Sequence, residues 1–231
     1  MSKHGADGAP QIIVPWRPDR LNMLTDGVFA IVMTLLVLEL KLPEAMTPAA
    51  AMAHLDTFLP KVMAYVIGFS VAGSGWAYVH HVNSLYGRSN LLHVALNLVA
   101  LMFISLVPFC ASVMGSYPDT PYGPGAYALG VGLASTVYTA DLILTHKDLI
   151  SPAIDRRLVR SIILGTSIGS AWCFFVALVI APRSPLLALG ALALHFCHHW
   201  IWLIATEKRV HAAAMLAETW DAPHERRLRS A

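Results

Sequence analysis

Charge is scarce in this chain. Asp, Glu, Lys and Arg make up only 13% of its residues, about half of what a soluble domain carries. Cysteine is scarce too: Cys110, Cys173 and Cys197 are an odd set, all in apolar runs and without a CxxC pair. That argues against a disulfide framework or a cysteine-held zinc site and leaves three inert buried thiols. The first twenty residues lack an apolar core and carry Pro10, Pro15 and Pro18, so no cleavable signal peptide is expected. There is no HExxH motif, and a net charge of +2 leaves no footprint for nucleic acid. What the chain has in quantity is hydrocarbon: 56% of its 231 residues are hydrophobic and the mean hydropathy is +0.59. An integral membrane protein is the class that accommodates such a composition, and the length suits one domain.

A bilayer-spanning helix needs about 20 mainly apolar residues. Six segments qualify: Leu21–Leu42, Leu59–Tyr78, Leu91–Met114, Gly125–Thr145, Ser161–Ala181 and Pro185–Thr206. Prolines punctuate the joins at Pro43, Pro48, Pro118 to Pro124 and Pro152, and the Pro182–Pro185 turn predicts a tight hairpin between the fifth and sixth helices. With six spans both termini share a side. That side carries 13 of the 16 Lys and Arg, and the other carries only Lys41, Lys61 and Arg183. The positive-inside rule then places both termini in the cytoplasm. The expected fold is an all-α, six-helix transmembrane bundle. Residues 1–19 form a cytoplasmic N-terminal segment, residues 20–206 the membrane domain, and residues 207–231 a cytoplasmic tail ending in the basic Arg226, Arg227 and Arg229.

The densest information lies in the first span. Arg20 and Asp26 precede an uncharged run from Gly27 to Leu38 that ends on Glu39. Ionisable groups bracketing an intramembrane helix point to function. A helix turns about 100° per residue, so Ile31, Leu35 and Leu38 share a stripe with Thr34 at its edge. Such a stripe either packs against a neighbouring helix or, when several copies surround an axis, makes apolar rings with one hydroxyl ring. The residues alone leave both open. In the second helix Trp76 is followed by His80 and His81; the third holds Asn97 and the run Phe103–Phe109 with Ser105 and Pro108. Asp26 needs partners, and Trp76, His80 or His81, and Asn97 can supply them. In the sixth helix His195, His198 and His199 share a face at a spacing able to hold a metal, a haem or a proton relay.

The first span resembles the first helix of the transmembrane protein 175 family, the endosomal and lysosomal potassium channels with prokaryotic relatives. Arg20, Asp26, Ala30, Ile31, Thr34, Leu35, Leu36, Leu38 and Glu39 match the family pattern in register. Leu24 and Thr25 stand where it has phenylalanine and serine; Thr25 keeps the hydroxyl and Leu24 loses the aromatic ring. The second and third helices resemble the family in their tryptophan, histidine, asparagine and serine-leucine-x-proline-phenylalanine features. The resemblance implies a single six-helix repeat whose first helix lines the pore of a homotetramer in the cell (plasma) membrane. It assigns the constriction to Ile31, Leu35 and Leu38, cation selectivity to Thr34, and a hydrogen-bond network to Arg20, Thr25, Asp26, Trp76, His80 and Asn97. Glu39 falls at the outer mouth. The chain has no Thr-Val-Gly-Tyr-Gly filter, so any selectivity has to come from this helix. The implied function is a potassium-permeable cation channel, with potassium as permeant ion, no cofactor, no metal and no enzymatic activity. The alternative is a histidine-bearing redox or proton-coupled membrane protein.

Overall fold

Within a bilayer the backbone must satisfy its own hydrogen bonds, and an open chain does that only as helix. A computed structural model describes residues 18–41, 48–150 and 154–229, and these are helical apart from short connections. Helix α1 (Pro18–Leu35) tightens into a 3-10 turn at Leu36–Glu39. Then come α2 (Pro48–Asn83), α3 (Leu91–Ser105), α4 (Val107–Ser116), α5 (Tyr122–Leu149), α6 (Arg156–Phe175) and α7 (Pro185–Arg229). Among the described residues, six helical stretches are long and apolar enough to cross a membrane: Pro18–Glu39, Phe58–Asn83, Leu91–Ser116, Tyr122–Leu149, Arg156–Ile180 and Pro185–Ala213. They correspond one to one with the expected spans, with ends shifted by a few residues.

Local chemistry explains the joints. Pro18 opens α1 at a position where its missing N–H costs nothing. The third span is α3 and α4 end to end. Pro108 cannot donate to the helix and its ring crowds the preceding turn, so the ladder breaks at Leu106 and resumes with Cys110 N–H to the Leu106 carbonyl at 3.0 Å. Asn90 caps α3 by accepting the His93 N–H at 2.8 Å, and Asp155 caps α6 by accepting the Arg157 N–H at 2.8 Å. After α6 the helix widens into one π turn (Val176–Ile180), and the reversal through Pro182 delivers the chain to α7. That is the tight hairpin expected from the two prolines. Helix α7 does not end with the membrane. It continues to Arg229, so the described part of the segment after Thr206 extends the sixth helix. Residues 1–17 of the expected N-terminal segment lie outside the described residues.

Helix α5 is central, packed on α3, α4 and α6, with α1 on the outside against α2 and α3. Small residues set these distances: a Cβ on Gly115 of α4 would come within 3.0 Å of the Lys61 backbone in α2. The buried side chains form two clusters. One gathers Phe29, Tyr78, Leu142, Ile162 and Leu203; the other gathers Leu36, Met114, Tyr127, Val176 and Leu192. Helix α1 contributes to both, which holds one of its faces along its whole length.

Candidate pore helix and its anchoring contacts

Leu21, Thr25, Phe29, Val32 and Leu36 recur at helical spacing and are the buried residues of the first span. The opposite face is bare in the single chain: Ile31 is 59% exposed, Leu35 41% and Leu38 61%. The 3-10 turn keeps these residues aligned, because positions three apart eclipse in that geometry and Leu38 stands over Leu35. Thr34 is exposed on the same side. Its hydroxyl proton goes to the Ile31 carbonyl at 2.8 Å, which leaves the oxygen as an acceptor on the bare face.

The polar residues near the start of α1 meet partners on α2 and α3. The Thr25 hydroxyl lies 2.9 Å from the Leu21 carbonyl and 3.1 Å from the Asn97 amide, both deep in the bundle. One proton cannot serve both acceptors. With the Asn97 amide turned so that its nitrogen faces Thr25, Nδ2 donates to the hydroxyl and the hydroxyl donates to Leu21. That orientation also gives a partner to an amide nitrogen that is otherwise buried without one. Asp26 accepts a 2.8 Å hydrogen bond from the Trp76 indole. His80 lies over the same indole, with ring centroids 5.5 Å apart at 30°, while His81 turns its Nδ1 to the Ala77 carbonyl at 2.8 Å. The Trp76-x3-His80 spacing thus puts both rings on one face of α2. Arg20 is exposed and is joined to none of these groups among the described residues.

At the other end Glu39 is half-buried. It lines a cavity of about 150 Å³ together with Lys41 and Lys61. Of the three α7 histidines, the side chains of His195 and His199 are described. His195 packs so closely on α6 that a Cβ at Gly169 would reach its ring at 3.2 Å, and Gly165 faces the Trp202 indole. The GxxxG of α6 therefore seats two α7 rings. His195 and His199 lie 6.1 Å apart, the His198 side chain lies outside the described residues, and among the described residues no three His, Cys, Asp or Glu side chains group as a metal site.

Sequence reasoning missed two polar pairings. Asn83 of α2 donates to the Asn22 side chain at 3.0 Å. Deeper, His93 Nδ1 meets both carboxylate oxygens of Asp141, at 3.0 and 2.8 Å, with His93 1% and Asp141 3% exposed. Thr145 donates its proton to the Asp141 carbonyl at 2.7 Å, so the 3.0 Å contact with Tyr86 must be a bond donated by the Tyr86 phenol. The Tyr86 ring covers His93 with centroids 4.4 Å apart, and burial pushes the phenol pKa well above its ordinary value. The signal was present in the sequence, since Asp141 is an acid inside an apolar span.

This arrangement has relatives. A family profile described as endosomal/lysosomal potassium channel TMEM175 matches residues 20–108, which cover α1 to the α3–α4 break. A potassium channel of Streptomyces collinus is 30% identical over 186 residues, spanning 77% of this chain and 90% of that protein. The human endosomal/lysosomal proton channel TMEM175 is 26% identical over 195 residues, 77% of this chain but 37% of that longer protein. The crystal structure of a lysosomal potassium-selective channel TMEM175 homolog from Chamaesiphon minutus superposes with a TM-score of 0.68 at 24% identity, over 80% of this chain and 96% of that one. Its likeness confirms the six-span helical fold. By sequence and fold together, the chain belongs to the TMEM175 family, a family of ion channels rather than enzymes.

Proposed function

We propose that the chain is one subunit of a potassium-permeable cation channel whose pore is walled by the first helices of a homotetramer. The observation that carries this reading is the bare face of α1. Ile31, Leu35 and Leu38 project from the bundle with Thr34 beside them, while the opposite face is locked to α2, α3 and α4. One helix cannot enclose a pore, so several copies must bring these faces together. Stacked Ile31, Leu35 and Leu38 rings would form a constriction that gates by dewetting, and the Thr34 oxygens would replace part of the ion's hydration shell. Residues 20–206 make up the channel domain, with residues 1–19 and 207–231 in the cytoplasm and the assembly in the plasma membrane.

In this reading Thr25–Asn97 and Asp26–Trp76–His80 brace α1 within each subunit, and Arg20 completes the network across the subunit boundary. Glu39 lies at the outer mouth, where Lys41 and Lys61 temper its charge. The naming of the Streptomyces collinus relative as a potassium channel supports the same conclusion. The test is ion flux from potassium-loaded liposomes, with sodium and proton gradients as separate arms. Potassium flux that responds to Ile31→Asn supports the pore. Flux indifferent to every stripe substitution removes it.

A further inference from the structure

A cavity of about 480 Å³ opens where the end of α5 meets the first turns of α6. Its rim carries Lys147, Arg156 and Arg160 with His146 beside them, and its floor is the buried pair Ile150 and Ile154. Two acids adjoin these cations in sequence, Asp148 and Asp155, and the three rim cations outnumber them. Asp155 is tied to the α6 cap through the Arg157 N–H, and Asp148 is exposed one residue beyond Lys147. The cavity sits where the spans Tyr122–Leu149 and Arg156–Ile180 reach the membrane surface. Below it, Arg160, Leu164 and Ile168 follow at i, i+4 and i+8, one row on α6, and Leu164 is 59% and Ile168 55% exposed. Cations around a headgroup-sized hollow, continuous with a bare apolar row descending into the bilayer, have the chemistry of a phosphate with a hydrocarbon tail.

We propose that this cavity binds the headgroup of an anionic phospholipid. Its phosphodiester would be held by Lys147, Arg156 and Arg160, and one acyl chain would lie along Leu164 and Ile168. A free phosphate shares the first half of that chemistry and lacks the second.

The test uses the full chain in detergent and native mass spectrometry with phosphatidylglycerol and phosphatidylcholine. Wild type should retain phosphatidylglycerol preferentially. The variant Lys147→Gln/Arg156→Gln/Arg160→Gln should lose that preference, by about fivefold for each cation removed. A matched control, Arg226→Gln/Arg227→Gln/Arg229→Gln, removes equal charge from the tail and should keep it. Leu164→Gln leaves every charge in place and should also weaken retention; it decides the matter if the triple variant does not fold. Equal retention of both lipids by wild type, or a control that loses as much as the triple variant, overturns the proposal. So does inorganic phosphate that stabilises the protein as strongly as phosphatidylglycerol, or a Leu164→Gln variant that retains lipid like wild type.

Discussion

The cluster at His93 and Asp141 and the polar groups of α1 lie in one bundle yet differ in how far a single chain completes them. His93, Asp141, Tyr86 and Thr145 are buried and bonded to one another between α5, α3 and the turn before α3. On α1, Thr25 is buried and paired, Asp26 has an indole partner but remains exposed, and Arg20, Thr34 and the Ile31–Leu38 stripe look outward. Polar groups completed inside one chain hold the subunit's own fold. Groups left open can gain partners outside the subunit, because an exposed charge at membrane depth is costly until another surface covers it or water reaches it.

Substitutions can break this contrast, and the largest effect should fall on the closed cluster. Asp141→Ala strands His93 in the core; removing one partner of a buried pair typically costs about 3–5 kcal/mol. The subunit itself should lose thermal stability in detergent, whatever its oligomeric state. A wild-type melting temperature would show that the cluster is dispensable. Asp26→Ala should cost less, on the order of 1–3 kcal/mol, because it leaves the Trp76 N–H without its acceptor. Its signature should be a lower melting temperature, whereas Arg20→Ala should dissociate oligomers on size exclusion without unfolding the subunit. If both variants run as wild-type assemblies and melt unchanged, these residues do not brace the assembly.

On the open face the effects should appear in flux. Ile31→Asn places a water-holding amide in the constriction and should raise potassium conductance roughly tenfold, equal to about 1.4 kcal/mol off the barrier. The smallest effect is expected from Thr34→Ala, a shift in the potassium-to-sodium reversal potential with total current nearly unchanged. Unaltered currents in the first and an unaltered reversal potential in the second would mean that the stripe meets lipid or another helix instead of ions.

Much of the fold was legible because it is local. Each span is a run of apolar residues, and the Pro182–Pro185 hairpin follows from proline geometry, while the break at Pro108 within the expected continuous third span was not foreseen. The two faces of α1 follow from periodicity, with Ile31 and Leu38 nearly opposite Phe29 and Leu36 and with Leu35 between the faces. Other features gained named partners only from the tertiary structure. Gly165 and Gly169 of α6 face Trp202 and His195 of α7, a helix contact whose partner no local motif names. His195, one of the three histidines that share a face of α7, packs against Gly169 of α6.

What the sequence by itself determined is the medium and the number of crossings. Hydropathy over a window of twenty residues is additive and needs no knowledge of neighbours. Only the tertiary structure decided the polar pairings, because they join residues far apart in the chain: Thr25 with Asn97, 72 positions away, Asp26 with Trp76, 50 away, and His93 with Asp141, 48 away. A buried acid in a sequence announces that a partner must exist, since an unpaired charge cannot be held in hydrocarbon at low cost. Which of several histidines and asparagines supplies that partner depends on how helices pack side by side, and that is a property of the bundle rather than of any one helix.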